Sequence, residues 1–303
     1  MIASTPQDSL VGAIEAGGTK FQCALVRGDG AVLADRRIPT TEPGETLTRV
    51  LGFFADAQQR FGAVQAFGIG TFGPVDLDPR SPTYGRLLMT PKPGWAGADI
   101  RGALIERFGR RVAVDTDVNA AALAEAQIGA GRGLRSLAYV TVGTGIGGGV
   151  IHDGRPVHGS MHPEMGHIVV RRDPRDREFA GVCPYHGDCL EGLASGPAIR
   201  ARWGAPLDAL DAGHDALDIV GDYLAQLVVS IALVTACERI VIGGGVMAHG
   251  ALLPRVRAAA SRFINGYLPI ARRDATLERF LVAPALGERS GLIGAALLAR
   301  CAL

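Results

Sequence analysis

Val11-Gly12-Ala13-Ile14-Glu15-Ala16-Gly17-Gly18-Thr19-Lys20-Phe21-Gln22-Cys23-Ala24-Leu25-Val26 is the stretch on which the fold turns. Apolar runs flank Gly17-Gly18-Thr19, a pattern that predicts strand, tight turn, strand. Gly28-Asp29-Gly30 then turns the chain into a third short strand over 31–35. The plan returns at Leu137-Ala138-Tyr139-Val140-Thr141-Val142-Gly143-Thr144-Gly145-Ile146-Gly147-Gly148-Gly149-Val150-Ile151. There His152-Asp153-Gly154 leads into the third strand. Two matching openings predict two copies of one supersecondary unit.

Helices and strands alternate after each opening. Apolar spacing predicts a helix over 45–61, a buried strand over 67–71, and a strand over 111–115 that enters a helix over 118–128 ended by Gly129. The second half predicts a helix over 215–237, a strand over 239–242, a turn at Gly243-Gly244-Gly245, and helices over 252–263 and 290–298. This alternation predicts an α/β protein. A chain of 303 residues has room for two domains. The glycine- and arginine-rich link over 131–135 divides it into 1–131 and 132–303.

Apolar residues make up 48% and charged residues 20%, the balance of a soluble protein with a full core. A net charge of +1 gives no electrostatic basis for nucleic acid or an anionic membrane as partner. Of the five cysteines, Cys23, Cys237 and Cys301 lie in apolar surroundings and are expected to be buried free thiols, the pattern of a reducing compartment. The first ten residues carry no basic residue and no apolar core, so no leader is expected. The charge-poor stretch 223–237 is shorter than a bilayer span and is expected to be a buried helix. The expected location is cytoplasmic.

The turns at Gly17-Gly18-Thr19 and Gly143-Thr144-Gly145 have the composition of anion cradles. Successive backbone N–H groups form nests, a threonine hydroxyl adds a donor, and Lys20 adds charge. Each could equally be no more than a tight hairpin; the matching pair, with Gly243-Gly244-Gly245, favours a nucleotide site. Gly143, Gly145 and Gly148 match G-x-G-x-x-G, but that dinucleotide motif must open a helix, and here a strand follows.

Asp115 and Asp117 stand where a buried strand meets a helix, a usual place for chemistry in open α/β sheets. One of them is expected to cap the helix. Asp117, nearer the turn, is the better placed as a general base.

His167 is followed by Cys183-Pro184-Tyr185-His186-Gly187-Asp188-Cys189-Leu190-Glu191. His167, Cys183, His186 and Cys189 are a tetrahedral zinc set, with a C-x2-H-x2-C knuckle turning at Gly187. All four ligands come from protein, so the expected metal is structural. Glu164 and Glu191 beside it would be held as a polyol-binding pair.

Together these motifs resemble the ROK family of sugar kinases and related repressors, across nearly the whole chain. The resemblance is carried by Glu15–Phe21, Gly70-Thr71-Phe72-Gly73-Pro74, Thr90-Pro91-Lys92-Pro93-Gly94-Trp95, Asp115–Asn119, Val142–Gly149, His162-Pro163-Glu164-Met165-Gly166-His167, Cys183–Glu191 and Gly291–Ala295. The bacterial fructokinases of the family are the nearest match. The resemblance implies a two-lobed actin-like ATPase (ribonuclease H-like) fold with a cleft between duplicated domains. It implies MgATP and a sugar as substrates, structural zinc, and a homodimer.

By that resemblance Asp117 is the catalytic base. Gly17, Gly18, Thr19, Lys20, Thr144 and Gly145 hold phosphates, and Gly244 and Gly245 line the adenosine site. Gly73, Thr90, Asp117, Glu164, His167 and Glu191 face the sugar. The N-terminal lobe would bind sugar and phosphate, and the C-terminal lobe would bind nucleotide and carry the zinc insertion. Many relatives have Asp at the position of Glu15, Asn at that of Thr116, and a third cysteine at that of His186; the fructokinase-like members share this chain's choices at Glu15 and Thr116. The expected reaction is phosphorylation of D-fructose to fructose 6-phosphate. Glucose, mannose or an N-acetylated amino sugar is the alternative substrate. A sugar-responsive regulator is disfavoured, because the first hairpin begins by Val11 and leaves no room ahead of it for a DNA-binding helix pair.

Overall fold

The computed structural model describes residues 9–303. Residues 1–8, most of the stretch expected not to be a leader, lie outside them. The first strands are β1 (Leu10–Ala16), β2 (Lys20–Arg27) and β3 (Val32–Pro39), an antiparallel meander. Helix α1 (Pro43–Phe61) follows, with proline in its first turn, Glu45 toward its positive end and Arg60 toward its negative end. Its Val50, Phe53, Phe54 and Ala57 are buried. Strand β4 (Ala66–Thr71) pairs parallel with β1, and β5 (Arg111–Thr116), reached through α2 (Ile100–Phe108), pairs parallel with β4. The sheet order is β3-β2-β1-β4-β5. β4 is buried along its whole length, as a central parallel strand must be.

Helix α3 (Asp117–Ile128) leads to the second copy. Strands β6 (Ser136–Val142), β7 (Ile146–His152) and β8 (Arg155–Pro156) are antiparallel. The short α4 (Leu190–Ala194), α5 (Gly196–Trp203) and the long α6 (Asp215–Thr235) precede β9 (Arg239–Gly243). Helices α7 (Leu252–Ile264) and α8 (Pro269–Arg273) precede β10 (Leu281–Val282). β9 pairs parallel with β6, and β10 with β9. The order β10-β9-β6-β7-β8, read from its other end, repeats that of the first sheet. The duplication expected from the two hairpins is therefore a duplication of topology.

The final helix, α9 (Ser290–Cys301), lies against the first sheet, where a side chain on Gly68 would strike the carbonyl of Ala295. The chain thus divides into two compact units. One runs to Ala124 and takes in His158–His162 and Glu288–Leu303; the other holds Glu125–Val157 and Pro163–Gly287. The expected contiguous halves, 1–131 and 132–303, differ from these units, because α9 and the 158–162 segment pack with the first and the division falls inside α3.

Helix α6 ends at Thr235, where Ala236 takes a left-handed conformation, so Cys237 lies beyond it. Its 21 residues are long and apolar enough to cross a bilayer by composition alone, unlike the 223–237 stretch considered by itself. Twelve of them are buried, from Ala216 to Ala232, within the core of the second unit. Cys23 and Cys237 are buried free thiols as expected. Cys301 is exposed, because it ends α9 on a face that nothing covers in the described chain.

Candidate active site and metal centre

In the first unit the β1–β2 turn is closed by Gly17 N–H donating to the Lys20 carbonyl at 2.9 Å. Thr40, just past β3, clamps it from the side: its N–H donates to Thr19 O at 3.0 Å and its hydroxyl to Gly17 O at 2.7 Å. The Thr90–Trp95 loop is tied to the same strand end. Trp95 Nε1 donates to Thr41 O at 2.8 Å, Lys92 Nζ to Thr40 O at 3.4 Å, and Lys92 N–H to Thr90 Oγ1 at 3.3 Å. Residues 17–20 and Thr90 therefore belong to one hydrogen-bonded assembly. Thr40 escaped the sequence reading, since a lone threonine after a strand carries no pattern. Gly73 precedes Pro74, and the next N–H, that of Val75, donates to the buried ring of His162 at 3.2 Å.

The β5–α3 junction holds the two aspartates. Neither is the helix cap. Thr116 is: its hydroxyl accepts the Asn119 N–H at 3.1 Å. Threonine has the short reach that this position needs, and both carboxylates are released for other work. Asp117 opens the helix, half-buried, with Oδ1 accepting the Val118 N–H at 2.8 Å. Asp115 is buried, and Oδ1 accepts from Thr116 N–H at 2.8 Å and Asn119 Nδ2 at 2.7 Å. His158 reaches the same carboxylate, with Nε2 3.1 Å from Oδ2. No sequence motif marks this histidine.

In the second unit the β6–β7 turn is closed by Gly143 N–H donating to Gly145 O at 2.8 Å, and Gly196 N–H opposite it donates to Gly143 O at 2.8 Å. Thr144 is exposed at its tip. Glu191 packs on the turn: Oε2 accepts the Ile146 N–H at 2.8 Å, and a side chain on Gly145 would meet that oxygen at 2.7 Å. After β9, Gly244 has φ +96°, and a Cβ there would lie 2.4 Å from the Val142 carbonyl. Only glycine fits, and Gly245 then opens a single turn of 3-10 helix with an exposed backbone.

The four proposed metal ligands converge. One donor atom from each of His167, Cys183, His186 and Cys189 lies within 4.8 Å of the others. His167 Nδ1 is 3.7 Å from Cys183 Sγ and 3.5 Å from Cys189 Sγ, and His186 Nδ1 is 3.7 Å from Cys183 Sγ. Bond lengths to zinc of about 2.0–2.3 Å give tetrahedral edges of about 3.3–3.8 Å, and these three edges are compatible with that ion. The knuckle is shaped by paired hydrogen bonds between Cys183 and Gly187, the latter at φ +64°. With Nδ1 turned to the sulfurs, His167 Nε2 faces Glu191 Oε1 at 4.0 Å. Burial, and then the charge of Glu191, push the Glu164 carboxyl up to about 7. Glu164, His167 and Glu191 thus form one polar group braced by the ligand cluster.

A family model described as the ROK family matches residues 11–302. A fructokinase of Zymomonas mobilis is 46% identical over 97% of this chain and 97% of its own length. Among solved structures, a ROK hexokinase from Thermus thermophilus superposes with TM-score 0.76 at 28% identity, covering 96% of this chain and 98% of that one. A ROK glucokinase from Streptomyces griseus, in complex with glucose and AMPPNP, superposes with TM-score 0.74 at 26% identity, covering 97% of this chain and all of that one.

Proposed function

The chain belongs to the ROK family, and from that premise we propose that it is a fructokinase, transferring the γ-phosphoryl group of MgATP to the 6-hydroxyl of D-fructose. The single observation that carries the substrate is the 46% identity to a fructokinase along the full length, against 26% to a glucokinase. The fold is the two-lobed actin-like ATPase fold, and the two topologically matched sheets are its duplicated halves.

The reaction needs positioning and charge compensation more than covalent chemistry. Asp117 accepts the hydroxyl proton as the sugar oxygen attacks phosphorus. The bond from the γ-phosphorus to its bridging oxygen breaks, and ADP departs. Glu164, His167 and Glu191 hold sugar hydroxyls, and Gly73 and Thr90 complete that contact set. The turns at Gly17–Lys20 and Thr144-Gly145 offer N–H groups, hydroxyls and the Lys20 ammonium to phosphate oxygens, and Gly244 and Gly245 let the adenosine approach the backbone. His167, Cys183, His186 and Cys189 would hold a zinc ion, which would supply a structural clamp for the loop that carries Glu191. The three cysteines outside the metal set, Cys23, Cys237 and Cys301, are free thiols and fit a reducing, cytoplasmic setting. As in the family resemblance, the assembly is a homodimer.

The test is ADP release with MgATP and fructose, glucose, mannose or N-acetylglucosamine at equal concentrations. Fructose should give the highest kcat/KM; a higher value with another hexose would replace the substrate, and silence with all of them would remove the kinase reading. Asp117→Asn should lower kcat about 10²–10⁴-fold, the usual contribution of a general base, with an unchanged melting temperature and zinc content. Near-normal turnover in that variant would assign the base elsewhere.

A further inference from the structure

Residues 158–162 belong by packing to the first unit, although the sequence on either side of them belongs to the second. The reaction described above makes no use of His158. Its side chain is 35% exposed, and Nε2 straddles the Asp115 carboxylate, 3.1 Å from Oδ2 and 3.2 Å from Oδ1. Asp115 is nearly sealed, its side chain 4% exposed. Its other donors, Thr116 N–H and Asn119 Nδ2, are neutral. Among the described residues His158 is the one basic side chain in ion-pair range of Asp115. A buried carboxylate without a countercharge is costly, and this one stands two residues before the proposed base, on the junction that aims it.

We propose that His158 is a positioning residue for the phosphoryl transfer: seated on Asp115, it supplies that carboxylate's positive partner, fixes the Asp115–Asn119 brace of the α3 N-terminus, and keeps the charge of Asp115 from adding to that of Asp117. This rests on the kinase reading above. The physical reason is the charge of the donor. The γ-phosphate is anionic and must come to Asp117, so each further uncompensated carboxylate at this junction raises the barrier. The brace has a structural cost that is visible in the chain: with Asn119 Nδ2 committed to Asp115, Asn119 Oδ1 is buried without a hydrogen-bond partner.

The hydrogen bond from His158 to Asp115 raises the imidazole pKa, against the effect of its burial. The other charged or titratable groups here are Asp117, Tyr84 and Arg101. Burial holds the Tyr84 phenol protonated; the Arg101 charge opposes that shift and the Asp115 charge adds to it. The Arg101 guanidinium covers the Tyr84 ring at 4.9 Å. His158 is therefore cationic below its raised pKa and neutral above it, and kcat should fall as pH rises through that value.

The test joins a pH profile to a titration. Fructose turnover is followed from pH 6 to 9.5 in the wild type, His158→Gln and His158→Arg, and the His158 imidazole is titrated by NMR in the wild type and Asp115→Asn. Wild-type kcat should drop about tenfold on the alkaline side, a factor that one nearby charge readily supplies. His158→Gln, which keeps a donor but no charge, should start about tenfold lower, lose that limb, and keep KM for fructose within about twofold, because the effect is on the transition state. His158→Arg should hold its rate at high pH. The NMR pKa should lie above the free value of about 6.5 and fall toward it in Asp115→Asn. A wild-type profile in His158→Gln, or an NMR pKa at or below the free value, overturns the proposal. The titration needs no substrate, so failure to phosphorylate fructose would sink the substrate reading alone, and the profile would then be measured with the hexose that is turned over.

Discussion

Burial and the Glu191 charge set Glu164 apart from an ordinary surface carboxylate, with a pKa of about 7. Its raised pKa makes folding pH-dependent in a stated direction. The folded protein holds the Glu164 proton more tightly than the unfolded chain, so this contribution to stability is full below about 4.5 and is lost as pH rises through about 7. Glu164→Gln behaves as a permanently neutral carboxyl. It should therefore melt at a higher temperature than the wild type at pH 8 and at the same temperature at pH 4, while KM for fructose rises because an acceptor for a sugar hydroxyl is lost. Calorimetry at the two pH values and a KM measurement check both halves. Residue-scale roles divide sharply in how far they could be read beforehand. The position of Asp117, at the junction of a strand and a helix, was legible from the sequence. The capping role of Thr116 was not, since aspartate and threonine are both good caps and only the hydroxyl-to-amide distance distinguishes them. His158 was invisible, because its partner lies 43 residues earlier in the chain.

If zinc binds as proposed, the knuckle is the element whose order should depend most on a ligand. Residues 181–192 turn through Gly181 and Gly187 at positive φ, and a Cβ on Gly192 would strike the Gly187 carbonyl. Ahead of Leu190, which is buried in the core, Pro184, Tyr185, His186 and Asp188 are exposed, so the metal is expected to hold this part of the loop. Protein purified without chelator should carry about one zinc per chain by elemental analysis; well under one removes the site. Stripping zinc should lower the melting temperature and raise KM for fructose, as Glu191 loses its anchored neighbour. At the opposite extreme, α9 is fixed by close backbone approach. A Cβ at Gly68 would lie 1.9 Å from Ala295 O, and one at Gly294 would lie 1.8 Å from Ala120 O. Gly68→Ala should cost about 1–3 kcal/mol or more by overpacking, read as a lower urea midpoint. A neutral result would mean that α9 shifts freely on its sheet. The small-residue composition of α9 predicted its helix, but not that it would serve the first sheet.

On the scale of the molecule, the second unit carries an apolar hollow of about 510 Å³ lined by Val150, Val157, Pro163, Met165, Leu227 and Ile231, among others. Val234 at its rim is 85% exposed; Leu233, its neighbour in sequence, is 52% exposed, and Val169, which follows the lining residue Ile168, is 92% exposed. Exposed apolar surface of this kind supports the homodimer reading. Val234→Asp should shift the protein toward monomer in sedimentation at micromolar concentration, with activity per folded chain as the accompanying readout; an undisturbed dimer would place the interface elsewhere.

The α/β class, the duplication and the convergence of the knuckle side chains could all be read from the string of residues, because each is local or periodic. Hairpin turns need glycine, strands and helices have their own apolar periods, and the three ligands of a C-x2-H-x2-C knuckle must meet in one short loop. The division into units, the exposure of Cys301 and the His158–Asp115 pair emerged only on folding. They are contacts between segments distant in sequence, and such contacts depend on how whole elements pack, which no neighbouring residue encodes.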